Sequence, residues 1–230
     1  MSEVVKDAEM NGKKEKSKRE IPAWFALGII TIVAALCLAV VYSITKDPIA
    51  NQEKEATDKT IKALMLQGDA VEKDFAKNEI ELSSGELDSL YECINDGTVI
   101  GYVGQKTVQG FGGKVQVTVG VALDADGKAG KITGISVGGS DFSETAGLGA
   151  KSKGTTKAGG DPKVFVNQFA GKGTEQELTA RKASEEKTEY TVDAITAATI
   201  TSRSVTNGVN DVVNAIKEYI VNSSNGGAEN

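Results

Sequence analysis

The chain has 230 residues, 32 acidic against 26 basic, a formal net charge of −6, two cysteines and no histidine. The missing histidine excludes imidazole metal sites, Ser-His-Asp or Cys-His nucleophile systems and imidazole proton shuttles. The acidic balance argues against nucleic acid, which wants a basic face, and two cysteines supply no disulfide framework, so redox or group-transfer chemistry here has to be borrowed from a cofactor.

Residues 1–20 form a basic tail containing Lys6, Lys13, Lys14, Lys16, Lys18 and Arg19. From Ile21 to Thr45 there is no Asp, Glu, Lys or Arg, and the run is rich in Ile, Leu, Val and Ala. A helix of about 20 apolar residues crosses a bilayer core, and Trp24 and Tyr42 stand near the two ends where amphipathic aromatic rings prefer to sit. The run reads as a retained membrane anchor over 21–45, since a cleavable signal has a shorter apolar region. Cys37 lies mid-run and reads as a small apolar filler. The positive-inside tendency predicts a cytoplasmic N-terminus and an extracytoplasmic domain in the cell membrane.

Residues 46–97 are expected to hold a helical linker and the start of the domain. IANQEKEATDKTIKALML has high helix propensity and ends in an apolar cluster at Ile61, Leu64, Met65 and Leu66, although a solvated charged linker would share its composition. Residues 98–222 carry the main domain. TVIGYVGQ, KVQVTVGVAL and KITGISVG read as strands, with Val115, Val117, Val119 and Val121 on one face and Lys114, Gln116, Thr118 and Gly120 on the other, a half-buried antiparallel sheet. SDFSETAGLGAKSKGTTKAGG is expected to fold over the sheet rather than join it. Residues 177 to 192 offer one or two further strands. SVTNGVNDVVNAIKEYIV places Val205, Val209, Val212, Val213, Ile216, Tyr219 and Ile220 at helical spacing, so an amphipathic helix should pack on the sheet. Residues 223–230 read as a disordered tail. The fold class is α+β: one N-terminal transmembrane helix, then a mainly antiparallel sheet with packed helices.

DAITAATITS, Asp193 to Ser202, opens the last helix with four hydroxyls, Thr196, Thr199, Thr201 and Ser202. Capping is the ordinary role of such groups, but one cap needs one hydroxyl. A helix start is also an anion site, because unpaired amides and the positive end of the dipole converge there. Ala197 and Ala198 keep the loop slim enough for a large ligand to approach the backbone.

This stretch resembles the flavinylation motif, Asp-x-x-Ser/Thr-Gly-Ala-Thr-x-Thr/Ser, of the FMN-binding subunits of the Rnf and Nqr respiratory complexes. The resemblance implies that Thr199 is esterified through its side-chain oxygen to the phosphate of FMN, with Thr196, Thr201 and Ser202 donating to phosphate oxygens. It implies that Asp193 is read by a separate flavin transferase, or braces the turn. Ala197 replaces the family's Gly, a change tolerated unless that residue needs a positive φ. SETAGLGAK is similar to the family's Ser-Glu-Thr-Pro-Gly-Leu-Gly-x-Lys segment, with Ala146 in place of Pro and Ser143, Glu144, Thr145, Gly147, Leu148, Gly149 and Lys151 matching. Leu148 and Thr145 are then expected against the flavin ring, with Glu144 bracing the loop or bonding a polar edge. GFGGKVQVTVGVALDADGKAGKI resembles the family's glycine-led hairpin. FAGK, Phe169 to Lys172, resembles a Phe-x-Gly-Lys element, whose Lys172 could stabilise charge on reduced flavin.

Neither a metal site nor an independent catalytic acid or base is expected. The compact length looks more like the G subunit of an Rnf complex, which passes electrons between ferredoxin and NAD and moves Na⁺ or H⁺. The implied partners are the other membrane subunits, especially the second covalent-FMN subunit (D) and the A/E pair, together with the transferase. The alternatives are the C subunit of the Na⁺-translocating NADH:quinone oxidoreductase and a non-enzymatic anchored anion-binding domain.

Overall fold

The computed structural model describes residues 22–65, 69–73, 82–83, 85–157 and 159–226. The basic tail, Ile21, Leu66 and residues 227–230 lie outside the described residues. The chain divides into two compact units, Met1–Ala50 and Asn51–Asn230.

In the first unit helix α1 (Ala23–Met65) begins, and its amides at Phe25 and Ala26 bond the Pro22 carbonyl. Its apolar stretch is long enough to cross a membrane and none of it is covered by protein. Thr31 and Thr45 return their hydroxyls to the carbonyls of Leu27 and Val41, both at 2.8 Å, so neither leaves a polar group unsatisfied on an apolar helix. Pro48 lies inside α1, so the helix continues past the expected boundary at 45.

The second unit is built on a six-stranded antiparallel meander in sequential order: β1 (Asp69–Lys73), β2 (Ser89–Asn95), β3 (Thr98–Gln109), β4 (Lys114–Leu123), β5 (Ala129–Gly138) and the short β6 (Gly154–Thr155). β3 to β5 fall where β-branched alternation puts them, and Gly127, with a φ of 75°, turns β4 into β5. β1 and β2 lie within 46–97, where the sequence suggested only a helical linker and a domain start. β6 also joins the sheet edge, pairing Ser136 with Thr155 and Val137 with Gly154, inside a segment expected to pass over the sheet. Two more strands, β7 (Thr179–Arg181) and β8 (Thr191–Asp193), pair in parallel apart from the main sheet.

Helix α2 (Thr199–Gly226) lays Val205, Val209, Val212, Val213 and Ile216 against the sheet, where Val115, Val117, Val119 and Val121 are fully buried. It runs past 222 because no residue from Ile220 to Asn225 breaks a helix already nucleated, and Ser224 bonds back to the Ile220 carbonyl at 2.8 Å. The opposite face is not left to water, in contrast to the half-buried reading. The end of α1 sets Ile61, Leu64 and Met65 into a second cluster with Cys93 and Val103. This approach needs Gly120, where a Cβ would stand 3.1 Å from Leu64 Cβ and 2.4 Å from Thr133 Oγ1. Beside it Ser89 donates to Gln105 Oε1 at 2.6 Å and Gln105 donates to Thr118 Oγ1 at 3.1 Å, so these buried polar groups are paired.

Candidate functional site

The chain leaves β8 at Asp193 and reaches α2 after five residues. Gln168 grips the backbone of Asp193 from both sides, accepting its amide at 2.6 Å and donating to its carbonyl at 3.2 Å. The Asp193 carboxylate stands 2.5 Å from Arg181 and 3.8 Å from Lys187. At the other end, Ser202 Oγ accepts the amide of Ile195 at 2.9 Å and donates to the Ala198 carbonyl at 3.0 Å. Between these anchors Ala198 donates to the Ile195 carbonyl at 2.9 Å, and Ala197 takes a φ of 63°. The departure from Gly at 197 therefore falls on a residue that does need the left-handed region, which costs an L-residue about 1–2 kcal/mol.

A cleft of about 310 Å³ opens beside this loop, lined by Phe111, Glu144, Thr145, Leu148, Gly149 and residues 197–201. Phe111, Leu148 and Ile200 are exposed large apolar side chains, a lip suited to a flat ring. Helix α2 starts at this cleft. Its first amides have no intrahelical partner, and among the described residues those of Thr199, Ile200 and Thr201 make no other backbone bond. Glu144 joins the two walls, accepting from Thr201 Oγ1 at 3.0 Å. Its carboxylate is wedged between Gly110 and Gly149, where a Cβ would fall within 2.0 and 2.2 Å of its oxygens. Gly147, with a φ of 77°, turns the chain from Thr145 to Leu148, whose amide returns to the Thr145 carbonyl at 3.2 Å.

The four hydroxyls divide into two kinds. Thr201 and Ser202 are buried, and their oxygens are committed to Glu144 and to the loop backbone. Both were expected as phosphate donors; in this structure the first joins the walls and the second closes the loop. Thr196 and Thr199 have no intrachain side-chain hydrogen bond among the described residues, and of these two only Thr199 lines the cleft. Ala197, Ala198, Glu144, Thr145 and Leu148 line the cleft, while Gly147 shapes its turn without lining it.

Lys172 is not brought there. Gly171 has a φ of 79° and the Lys172 amide returns to Phe169, so FAGK is a turn that seats the fully buried Phe169 in the core. The Lys172 ammonium donates instead to the Glu189 carbonyl at 2.5 Å. Burial, and then the neighbouring Lys187, lower its pKa. Phe111 and Ile200 were missed by sequence reading. Their signal was position, Phe111 in the glycine-led turn before β4 and Ile200 between two hydroxyl residues of the motif.

A helix start with unpaired amides, a free hydroxyl and an apolar lip over an antiparallel meander make a cleft suited to a ligand with a phosphate and a flat ring. Residues 110–214 match the family model of an FMN-binding domain, and residues 25–64 match that of the RnfG N-terminal region. The G subunit of the Na⁺-translocating ferredoxin:NAD⁺ oxidoreductase complex of Acetobacterium woodii is 32% identical over 86% of this chain and 93% of its own. Its counterpart in the proton-translocating complex of Clostridium ljungdahlii is 26% identical over 84% and 89%. The chain belongs to the family of Rnf complex G subunits. In fold it is also similar to the C subunit of the Na⁺-translocating NADH-quinone reductase of Parabacteroides distasonis, with a TM-score of 0.52 at 18% identity, over 74% of this chain and 93% of that one.

Proposed function

We propose that this chain is the electron-carrying G subunit of a membrane-bound, ion-translocating ferredoxin:NAD⁺ oxidoreductase, with FMN held as a phosphoester on Thr199 Oγ1. The observation that carries the reading is that, of four hydroxyls at the start of α2, Thr199 alone combines a side chain with no intrachain hydrogen bond among the described residues with a place in the cleft.

When bound, FMN supplies one- and two-electron chemistry that no side chain here provides. The rest falls to the protein. The free amides at the start of α2 offset phosphate charge. Leu148, Phe111 and Ile200 exclude water along an apolar surface, and Thr145 offers a polar edge. Glu144 holds the two walls together through Thr201. Its negative charge stands on the opposite wall from Thr199, the position that brings the phosphate. Asp193, paired with Arg181, braces the approach to the loop and is the acidic position of the motif that a flavin transferase would read.

The basic tail supports a cytoplasmic N-terminus with the FMN domain outside. A covalent bond there keeps the cofactor from diffusing away. The partners are the other membrane proteins of the complex, including the second one with covalent FMN and the A/E pair.

The test is a denaturing gel of the chain from its own membranes. Flavin fluorescence stays with the wild-type band and with Thr196→Ala, and is abolished in Thr199→Ala without loss of fold. A wild-type band with no fluorescence leaves only a reversible anion site. Copurification with the quinone-reductase subunits in place of the Rnf subunits would reassign the complex while leaving the attachment intact.

A further inference from the structure

Two side-chain amides in this domain do the same mechanical task in different places. Gln168, from the short 3₁₀ turn Phe165–Gln168, brackets the backbone of Asp193 with two hydrogen bonds, as an adjacent strand would. Asn210, from α2, brackets Leu178 in the same way, accepting its amide at 2.9 Å and donating to its carbonyl at 2.9 Å. Leu178 precedes β7, while Asp193 ends β8 and leads into the modified loop. Arg181, paired in register with Asp193, adds the carboxylate contact and accepts the Ala194 amide on its carbonyl at 2.8 Å. With Ser202 closing the far end, the amide and carbonyl of Asp193, the amides of Ala194 and Ile195 and the carbonyl of Ala198 are all held by bonds within the chain.

We infer that Gln168 is a positioning residue for the modification of Thr199. It presets the backbone so that the folded, unmodified chain already presents the hydroxyl. The inference rests on the assignment of Thr199 as the attachment site. In the transfer, Thr199 Oγ1 forms a bond to the flavin-side phosphorus of flavin adenine dinucleotide. The anhydride P–O bond breaks, adenosine monophosphate leaves with the bridging oxygen, and the hydroxyl proton passes to a base of the transferase. No electrons change hands. A nucleophile displaced by about 1 Å can lose on the order of a hundredfold in such a step, and a half-buried amide gripping the strand six residues upstream is placed to prevent that displacement.

The existence of the second clamp makes the test internal. The flavin-free full-length chain in detergent is incubated with a flavin transferase, Mg²⁺ and flavin adenine dinucleotide, and the initial rate of in-gel fluorescence is measured beside the melting midpoint. Gln168→Ala is expected to slow labelling about tenfold or more, with the loss in the rate at saturating dinucleotide and not in the half-saturating concentration. Gln168→Glu keeps the acceptor for the Asp193 amide but loses the donor to its carbonyl, and should fall between. Asn210→Ala, the same chemical deletion away from the motif, should lower the melting midpoint comparably while labelling within about twofold of wild type.

Equal slowing by Gln168→Ala and Asn210→Ala, or wild-type labelling of Gln168→Ala, overturns the positioning role and leaves the attachment site standing. A wild-type chain that takes no label overturns the attachment site and this inference with it.

Discussion

The loop from Asp193 to Ser202 and the loop from Ser143 to Gly149 line one cleft, yet they are held by different means. The first is tied at both ends by directed bonds to its backbone, from Gln168 at Asp193 and from Ser202 at Ile195 and Ala198. The second is tied mainly to itself, through the turn from Thr145 to Leu148 and the bond from Ala150 to the Thr145 carbonyl. It reaches the facing wall through one carboxylate, Glu144 on Thr201. The wall that carries Thr199 is thus tied by more directed bonds than the wall that carries the exposed Leu148. Each wall also holds one residue that departs from the family pattern, Ala197 and Ala146, and the two departures differ in kind.

The sharpest probe of the first wall is Ser202→Ala. It removes the acceptor of the Ile195 amide and one donor to the Ala198 carbonyl in a fully buried spot. An unsatisfied buried group costs about 1–3 kcal/mol, which for a domain of this size is a fall of roughly 4–8 °C in the melting midpoint near the middle of that range. Thr199→Ala, three residues away, breaks no intrachain side-chain bond among the described residues and should move the midpoint by no more than about 2 °C. Calorimetry on the flavin-free chain checks both. Similar melting of the two variants would erase the distinction between structural and free hydroxyls on which the attachment site rests.

The next effect is smaller and has the opposite sign. Ala197 has a φ of 63° and an exposed side chain. Gly removes the strain but widens the unfolded ensemble, so Ala197→Gly should stabilise the chain by about 0.5–1 kcal/mol, read from the urea midpoint at unchanged slope. Destabilisation would mean that the corner is not held in the left-handed region.

This corner also marks where sequence reading reached its limit. The hydroxyl cluster, the slim alanines and the helix start could be read directly, because each follows from residue type and spacing. So could the valine stripe of β4 and the apolar face of α2. The sign of φ at Ala197 could not, since the loop around it is held by bonds from Ser202 and from Gln168, the second of them arriving from 25 residues away. The division of the hydroxyls was hidden for the same reason, because Thr201 is claimed by a carboxylate 57 positions earlier. Lys172 was expected near the ring from the resemblance of FAGK to a Phe-x-Gly-Lys element, and the turn at Gly171 directs it to the Glu189 carbonyl. β1 and β2 escaped because DAVEK and SLYECIN are short and mixed in polarity, and β2 is recruited by pairing with the long β3, and β1 by pairing with β2, more than by their own pattern.

The smallest effect belongs to the second wall. Ala146 occupies the second position of a turn whose third residue, Gly147, has a φ of 77°, and whose closing bond runs from the Leu148 amide to the Thr145 carbonyl. That is the pattern of a type II turn, where proline at the second position presets φ. The Ala146 amide makes no backbone hydrogen bond among the described residues, so proline removes nothing there. Ala146→Pro should therefore stabilise by about 0.4–1 kcal/mol through the unfolded chain. The more informative readout is hydrogen exchange over residues 143–149. Proline should slow it in this loop and leave the 193–202 loop unchanged, because the two walls meet through a side-chain bond and not through shared backbone. Slowing of both loops together would show that the walls move as one body.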